Sequence, residues 1–161
     1  MAAALSILAL VTLQRLAELV IARRNTKALL AQGAYEVAPS HYPLIVAVHV
    51  AWLASLWWLA PGRSISWLLI ELFLLLQIAR LWVLATLGPR WTTRIIILPG
   101  AHLVRRGPYR FFRHPNYLIV VAEIAVLPLA FGLWELALVF SLANALVLSI
   151  RLKAENGALK A

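Results

Sequence analysis

The apolar stretch LIVVAEIAVLPLAFGLWELALVFSLANALVLSI, residues 118–150, decides the class of fold. Its 33 residues exceed the roughly 20 that an α-helix needs to cross the hydrocarbon core of a bilayer. Pro128 and Gly132 interrupt the run near its middle, where they would break a helix. We therefore predict two helices, at about residues 116–130 and 133–153, folded as a helical hairpin in the membrane.

Three more helices are predicted upstream of this run, at about residues 2–24, 43–60 and 65–87. The composition agrees, because 63% of the residues are hydrophobic, only 13% are charged and the mean hydropathy is +0.87. We predict an all-α integral membrane protein of about five transmembrane helices, forming a single domain over residues 1–161.

The cations are distributed unequally between the two ends of these helices. Twelve Lys and Arg residues, the last of them Lys160, would lie on the side that follows the first helix, against Arg63 alone on the other side. The positive-inside rule then predicts an external N-terminus, a cytoplasmic loop at residues 88–117 and a cytoplasmic C-terminus. The first apolar run has its cations after it, which favours a retained helix over a cleaved signal peptide.

The net charge of +9 and the sequence pI of about 11.1 would indicate a nucleic-acid partner in a soluble protein. Here the cations flank apolar spans, so we expect membrane lipids as partners and no nucleic acid. The absence of cysteine excludes disulfides and thiolate chemistry, and we predict no metal site. Aspartate is absent too, so the six glutamates are the only carboxylate side chains.

The segment RRGPYRFFRHPNY, residues 105–117, is polar beyond what topology requires. A cytoplasmic location explains its arginines but not Tyr109, His114 or the sequence from Pro115 to Tyr117. Pro115 suits the first turn of a helix, where its missing N–H leaves no bond unmade. His114 would then lie at a helix N-terminus, which favours anions.

Residues 107–117, GPYRFFRHPNY, resemble the signature of the isoprenylcysteine carboxyl methyltransferase family. Members of that family are small membrane enzymes that bind S-adenosylmethionine between the last helices and the preceding loop. Arg151 and Glu155, one helical turn apart, resemble the Arg and Glu that the family carries near its C-terminus. Residues 14–42 resemble a small bacterial branch that is associated with type III polyketide synthases and implicated in O-methylating long-chain alkylpyrones or alkylresorcinols. Many members have a glycine two positions after the motif tyrosine, where this chain has Ile119.

The resemblance implies S-adenosylmethionine as cofactor, a lipophilic acceptor that enters from the bilayer, and a location in the bacterial inner membrane. It implies these cofactor-binding residues: His102, Leu103, Tyr109, His114, Pro115, Tyr117 and Glu155. The residue types suit that ligand, because a carboxylate accepts from ribose hydroxyls or an amino group, histidines donate, and tyrosines contact a sulfonium. Residues 92–104, TTRIIILPGAHLV, read as two short extended pieces around a Pro99-Gly100 turn, which suits a flap over the cofactor.

Structural interpretations of the same residues stay open. His102 and Tyr109 also suit interfacial anchors, and Arg151 with Glu155 suits an i, i+4 ion pair. The seven tryptophans suit either an acyl tunnel or an interfacial belt.

Several polar side chains lie inside the predicted spans, where a charge needs a partner or a function. They are Gln14, Arg15 and Glu18 in the first helix, Gln77 and Arg80 in the third, and Glu123 in the fourth. One interpretation is interhelical ion pairing, for example of Arg80 with Glu123, and the other is a substrate cavity open to the bilayer.

A phenolic or enolic acceptor must lose a proton, which makes a general base useful, whereas a carboxylate acceptor needs none. His41 is our first choice of base, ahead of Glu36, Glu18 and the deeper His49. The predicted catalytic residues are His41, Glu18, Arg15 and Arg151.

Two other classes of function compete with a methyltransferase. Membrane sterol and steroid reductases, which use NADPH, carry a similar His-Pro-Asn-Tyr segment, but they usually follow it with a glycine and an acid where this chain has Leu118, Ile119 and Val120. The other class is a non-catalytic membrane scaffold. Among methyltransferases, a phospholipid amine is a further acceptor that the sequence leaves open.

Overall fold

A computed structural model describes residues 1–158 of the chain, so Lys160 lies outside the described residues. Within this range there are five α-helices: α1 (Ala2–Ala31), α2 (Tyr42–Leu59), α3 (Trp67–Leu87), α4 (Pro115–Ala130) and α5 (Trp134–Ala158). The predicted all-helical class is confirmed. Four of the helices, α1, α2, α3 and α5, are long and apolar enough to cross a membrane, which indicates an integral membrane protein. The apolar helix α4 is shorter, with 16 residues.

The helix that departs most from its predicted bounds is α1. It continues to Ala31 because residues 25–31, NTKALLA, contain several good helix formers and no glycine or proline. At 1.5 Å per residue its 30 residues span about 45 Å, longer than the roughly 30 Å of a hydrocarbon core. Helix α1 is therefore longer than a perpendicular crossing of the hydrocarbon core requires.

The long apolar run breaks where its sequence predicts. The last turn of α4 contains Pro128, whose carbonyl accepts from the backbone N–H groups of Phe131 and Leu133, both at 3.0 Å. Gly132 takes the left-handed conformation that this turn requires, with φ +69°. After the turn, α5 begins at Trp134 and packs along α4.

The apolar core lies toward the end of the bundle where α4 meets α5. Its largest fully buried side chains include Trp52 of α2, whose Nε1 donates to the carbonyl of Ile124 at 3.2 Å, and Phe131. Trp58, Trp67 and Trp134 are exposed near the helix ends at this side of the molecule. These three positions fit the interfacial belt better than an acyl tunnel.

Six polar side chains meet in the middle of the bundle, and we call them the intramembrane ion cluster: Gln14, Arg15, Glu18, Gln77, Arg80 and Glu123. Arg80 binds both oxygens of Glu18, each at 2.6 Å, and its Nη1 donates to Glu123 at 3.1 Å. Arg15 donates to Glu123 at 2.8 Å and to Glu18 at 3.2 Å. Ion pairing of Arg80 with Glu123 is confirmed, and the two positive charges balance the two negative ones across α1, α3 and α4.

Two short strands lie at the opposite end from the α4–α5 turn. Strands β1 (Tyr35–Glu36) and β2 (Ile96–Ile97) pair antiparallel. The predicted turn after β2 is present, since the N–H of Ala101 donates to Leu98 and Gly100 has φ +75°. Only the first of the two predicted extended pieces is a strand, however. Residues 101–105, the second predicted piece, form no regular structure. The partner of β2 is instead β1, which lies in the α1–α2 connection.

Candidate active site

A cavity of about 880 Å³ lies among the α3–α4 connection, the start of α4 and the end of α5. This volume lies in the range of small-molecule sites. Six of the seven residues implied for the cofactor line it: His102, Leu103, Tyr109, His114, Tyr117 and Glu155. The seventh, Pro115, is buried at the first position of α4, where it starts the helix.

Tyr117 connects α4 to α5 at the inner wall of this cavity. Its hydroxyl donates a short hydrogen bond to the Glu155 carboxylate and accepts one from Arg151 Nε at 2.7 Å. Its ring stacks on that of His114, with centroids 5.2 Å apart, and His114 Nδ1 is 3.8 Å from Glu155 Oε1. We call His114, Tyr117, Arg151 and Glu155 the Tyr117 network. Within the described residues Arg151 and Glu155 both bind Tyr117 and make no ion pair with each other.

The segment around β2 closes one side of the cavity and is held by two polar contacts at Thr93. Arg151 Nη1 donates to the Thr93 carbonyl at 2.7 Å, and the hydroxyls of Thr93 and Tyr42 are 3.1 Å apart. The neighbouring Arg94 binds both oxygens of Glu36, at 2.8 and 2.9 Å, and lies over the Tyr42 ring. The predicted flap is therefore tied to α2 and α5, and Glu36, one candidate base, is engaged by Arg94.

Three polar atoms of the cavity residues are buried without a hydrogen-bond partner among the described residues. They are His114 Nε2, Asn116 Oδ1 and Trp91 Nε1. Buried polar atoms are normally hydrogen-bonded, so several unsatisfied atoms in one cavity point to a bound polar ligand. Asn116 was missing from the predicted site, although the motif His-Pro-Asn-Tyr contained the signal for it.

The cavity is strongly positive. Six arginines line it, namely Arg90, Arg94, Arg105, Arg110, Arg113 and Arg151, and Glu155 is the one carboxylate among the described lining residues. Burial, and to a smaller extent the nearby charge of Glu155, raises the pKa of Tyr109 to about 12. The Tyr109 hydroxyl thus keeps its proton at neutral pH and is available as a donor.

The other predicted catalytic residues lie elsewhere. Among the described residues that line this cavity, Arg151 is present, but His41, Arg15 and Glu18 are not. Arg15 and Glu18 belong to the intramembrane ion cluster. His41 is buried at the start of α2 and its Nδ1 contacts the Ala38 carbonyl, so the lone pair of the neutral ring is on Nε2. The assignment of His41 as a base stays a prediction, without support from the lining of this cavity.

Gly107 allows the segment of residues 105–117 to approach α3 closely. A Cβ at this position would lie 2.5 Å from Thr86 Oγ1, and the backbone φ is +56°. We expect Gly107→Ala to lower the free energy of unfolding by about 1–3 kcal/mol, because it adds a clash to the strain of a left-handed residue. Reversible unfolding in detergent measures the change.

Gly62→Ala is the matched control for this prediction, because Gly62 has φ +85° and open space around its Cβ position. It therefore carries the backbone strain without the clash. A Gly107→Ala loss no larger than that of Gly62→Ala, or no partial recovery in Gly107→Ala/Thr86→Ala, would contradict the close approach.

The comparisons with known proteins identify the family of the chain. The family model for the isoprenylcysteine carboxyl methyltransferase (ICMT) family matches residues 68–161, which include all of α3 after Trp67 and every residue of the Tyr117 network. The chain belongs to this family, and membership suggests a membrane methyltransferase.

Two curated relatives match nearly the full length. The uncharacterized protein YpbQ of Bacillus subtilis (strain 168) is 37% identical over 167 residues, covering 96% of this chain and 95% of YpbQ. An uncharacterized protein of Haemophilus influenzae is 29% identical over 153 residues, covering 90% of this chain and 88% of its own. No solved structure gives a significant match.

Proposed function

We propose that this protein is an S-adenosylmethionine-dependent methyltransferase that methylates an oxygen atom of a lipophilic acceptor. The observation that carries the proposal is the Tyr117 network, which places the Glu155 carboxylate and the unsatisfied His114 Nε2 in one cavity. S-adenosylmethionine supplies an electrophilic methyl group on a sulfonium, together with an ammonium, a carboxylate, a ribose and an adenine. Family membership favours this donor over the NADPH of a reductase.

The residues of the cavity fit that set of groups. Glu155 provides a charged acceptor for the ribose hydroxyls or the ammonium, and Tyr117 orients it. His114 Nε2 and Asn116 Oδ1 are positioned to bind further polar groups of the cofactor. The guanidinium of Arg151 is fixed by Tyr117 and Thr93, and its remaining N–H groups suit an acceptor oxygen.

The acceptor would lie along the apolar part of the same cavity. Residues 95–98, which include β2, line it, as do the aromatic side chains of Phe111 and Phe112. Such a wall suits the long chain of an alkylpyrone or alkylresorcinol, or the prenyl group of a prenylcysteine-like carboxylate. Because methyl transfer is a displacement at carbon, alignment of the two reactants and exclusion of water would supply most of the rate.

The proposed topology follows from the same arrangement. We place α4 across the membrane as a fifth crossing, antiparallel to α5, because the start of α4 contacts the end of α5 at Tyr117 and Glu155. The cation-rich end, with the cavity, would face the cytoplasm and the N-terminus the outside of a bacterial inner membrane. The cofactor would then enter from the cytoplasm and the acceptor from the lipid.

Calorimetric titration of the detergent-purified protein tests the donor. We expect S-adenosylmethionine to bind with a dissociation constant between about 1 μM and 1 mM, and NADPH not to bind. Binding of NADPH in its place would establish the reductase, and binding of neither would favour a scaffold. Transfer of labelled methyl from S-adenosylmethionine to alkylpyrones, alkylresorcinols, prenylcysteine analogues and phosphatidylethanolamine then identifies the acceptor.

A further inference from the structure

A second cavity shares a wall with the candidate active site. The shared lining is residues 102–105 together with Leu29, Leu87, Arg90 and Leu98, and the second cavity has a volume of about 600 Å³. It lies between the end of α1, at Leu29 and Gln32, and the end of α3, at Thr86 and Leu87. We call it the arginine pocket, because Arg90, Arg105 and Arg106 line it. Among its described lining residues there is no carboxylate.

Within residues 1–158 no carboxylate neutralises the positive charge of the arginine pocket. Arg90 Nη1 donates to the His102 carbonyl at 2.6 Å and Arg106 Nη2 to the Thr86 carbonyl at 3.4 Å, and neither carbonyl carries a net charge. The C-terminal ends of α1 and α3 contribute about −0.5 each through their helix dipoles. Three guanidinium groups therefore leave a net charge of roughly +2, which favours an anionic ligand.

The arginines are also partly oriented. Each carbonyl contact uses one of the five N–H donors of a guanidinium and restrains its position, which leaves other donors for a ligand. Guanidinium groups bind phosphate oxygens in a bidentate manner more favourably than ammonium groups do. A phosphate group is thus the anion that the pocket fits best.

Apolar side chains surround the same pocket. Leu29, Leu87 and Leu98 line it, and Leu103 lines it while being 63% exposed. Phe111 and Phe112 are 68% and 54% exposed nearby in the sequence, between Arg110 and Arg113. Large apolar side chains exposed among arginines at the helix ends of a membrane protein mark the headgroup level of the bilayer. The anion at this position would then carry an apolar part.

We propose that the arginine pocket binds the phosphate of an anionic phospholipid from the leaflet at this end of the bundle. The glycerol and the first carbons of its acyl chains would contact the leucines of the pocket, and its phosphate the arginines. The proposal does not depend on the methyl donor or on the acceptor of the candidate active site.

Native mass spectrometry of the detergent-solubilised protein with phosphatidylglycerol or phosphatidylcholine tests the proposal. We expect the protein to retain one phosphatidylglycerol in preference to phosphatidylcholine. Gln32→Glu and Arg106→Gln each alter the arginine pocket alone and make it less positive by one charge. Each should weaken phosphatidylglycerol retention about fivefold or more.

Lys153→Gln is the matched control, since it changes the net charge equally at an exposed position of α5 that lines neither cavity. It should retain the lipid like the unchanged protein. The site would be overturned if Gln32→Glu and Arg106→Gln retained phosphatidylglycerol as well as the unchanged protein does. It would also be overturned if Lys153→Gln lost as much of the lipid as those two variants do. A separate experiment adds inorganic phosphate. A phosphate adduct that displaces phosphatidylglycerol would assign the pocket to a soluble phosphate and contradict the proposal of a bound phospholipid.

Discussion

Glu155→Ala is expected to lower the affinity for S-adenosylmethionine on the order of 100-fold, because a charge-assisted hydrogen bond contributes about 1.5–3 kcal/mol. Glu155 is the single carboxylate among the described residues that line the candidate active site. Its removal also leaves the Tyr117 hydroxyl without the acceptor that orients it. Calorimetric titration with the cofactor in detergent measures the loss.

The control for this variant is Glu135→Ala, which makes the same substitution in the first turn of the same helix, α5, at an exposed position. It should bind the cofactor like the unchanged protein. His114→Ala should also lower the affinity for the cofactor, because it removes the unsatisfied Nε2 together with the ring that stacks on Tyr117. Unchanged affinity in Glu155→Ala would remove this carboxylate from the proposed cofactor site.

Glu123→Ala is expected to lower the free energy of unfolding by about 3–5 kcal/mol, the usual effect of removing one partner of a buried ion pair. Glu123 is 1% exposed and accepts from Arg15, Arg80 and Gln77. Without it the intramembrane ion cluster carries an uncompensated positive charge in a medium of low polarity. Reversible unfolding in mixed detergent measures the effect.

A double variant separates charge imbalance from lost packing. Glu123→Leu/Arg15→Leu removes one charge of each sign and leaves the bidentate contact of Arg80 with Glu18 intact. It should recover most of the stability, because apolar replacement of a buried pair is often neutral. The exposed Glu71→Ala is the reference substitution on α3. A Glu123→Ala loss as small as that of Glu71→Ala would rule out a stabilising role for the cluster.

Much of the fold was predictable because apolar length and helix breakers are local properties of a sequence. The break between α4 and α5 follows from Pro128 and Gly132. The pairing of β1 with β2 was not predictable in this way, since Tyr35 and Ile97 are distant in sequence and each strand has two residues. Such short strands have no periodicity of their own and are defined by their partner.

The residues of the candidate site were likewise predictable only where the signal is local in the sequence. His114 and Tyr117 could be grouped because they lie within one turn at the start of a helix, and the resemblance added Glu155. His41 was chosen for its residue type and its place at a helix start, and neither property determines which cavity a side chain lines. The backbone carbonyl of Thr93 accepts a hydrogen bond from Arg151, and no side-chain pattern predicts such a contact.

The order in which the charged residues occur along the chain bears on how the protein is inserted during synthesis. The first helix to emerge carries Arg15 with Glu18 three residues later, so it enters the bilayer with an internal counter-ion. Arg80 is synthesised two helices later, in α3, when its ion-pair partner Glu18 of α1 is already present. An isolated arginine at a helix centre costs about 2.5–3.5 kcal/mol on insertion scales. A truncated chain without α1 should therefore insert α3 less efficiently than the full-length chain does.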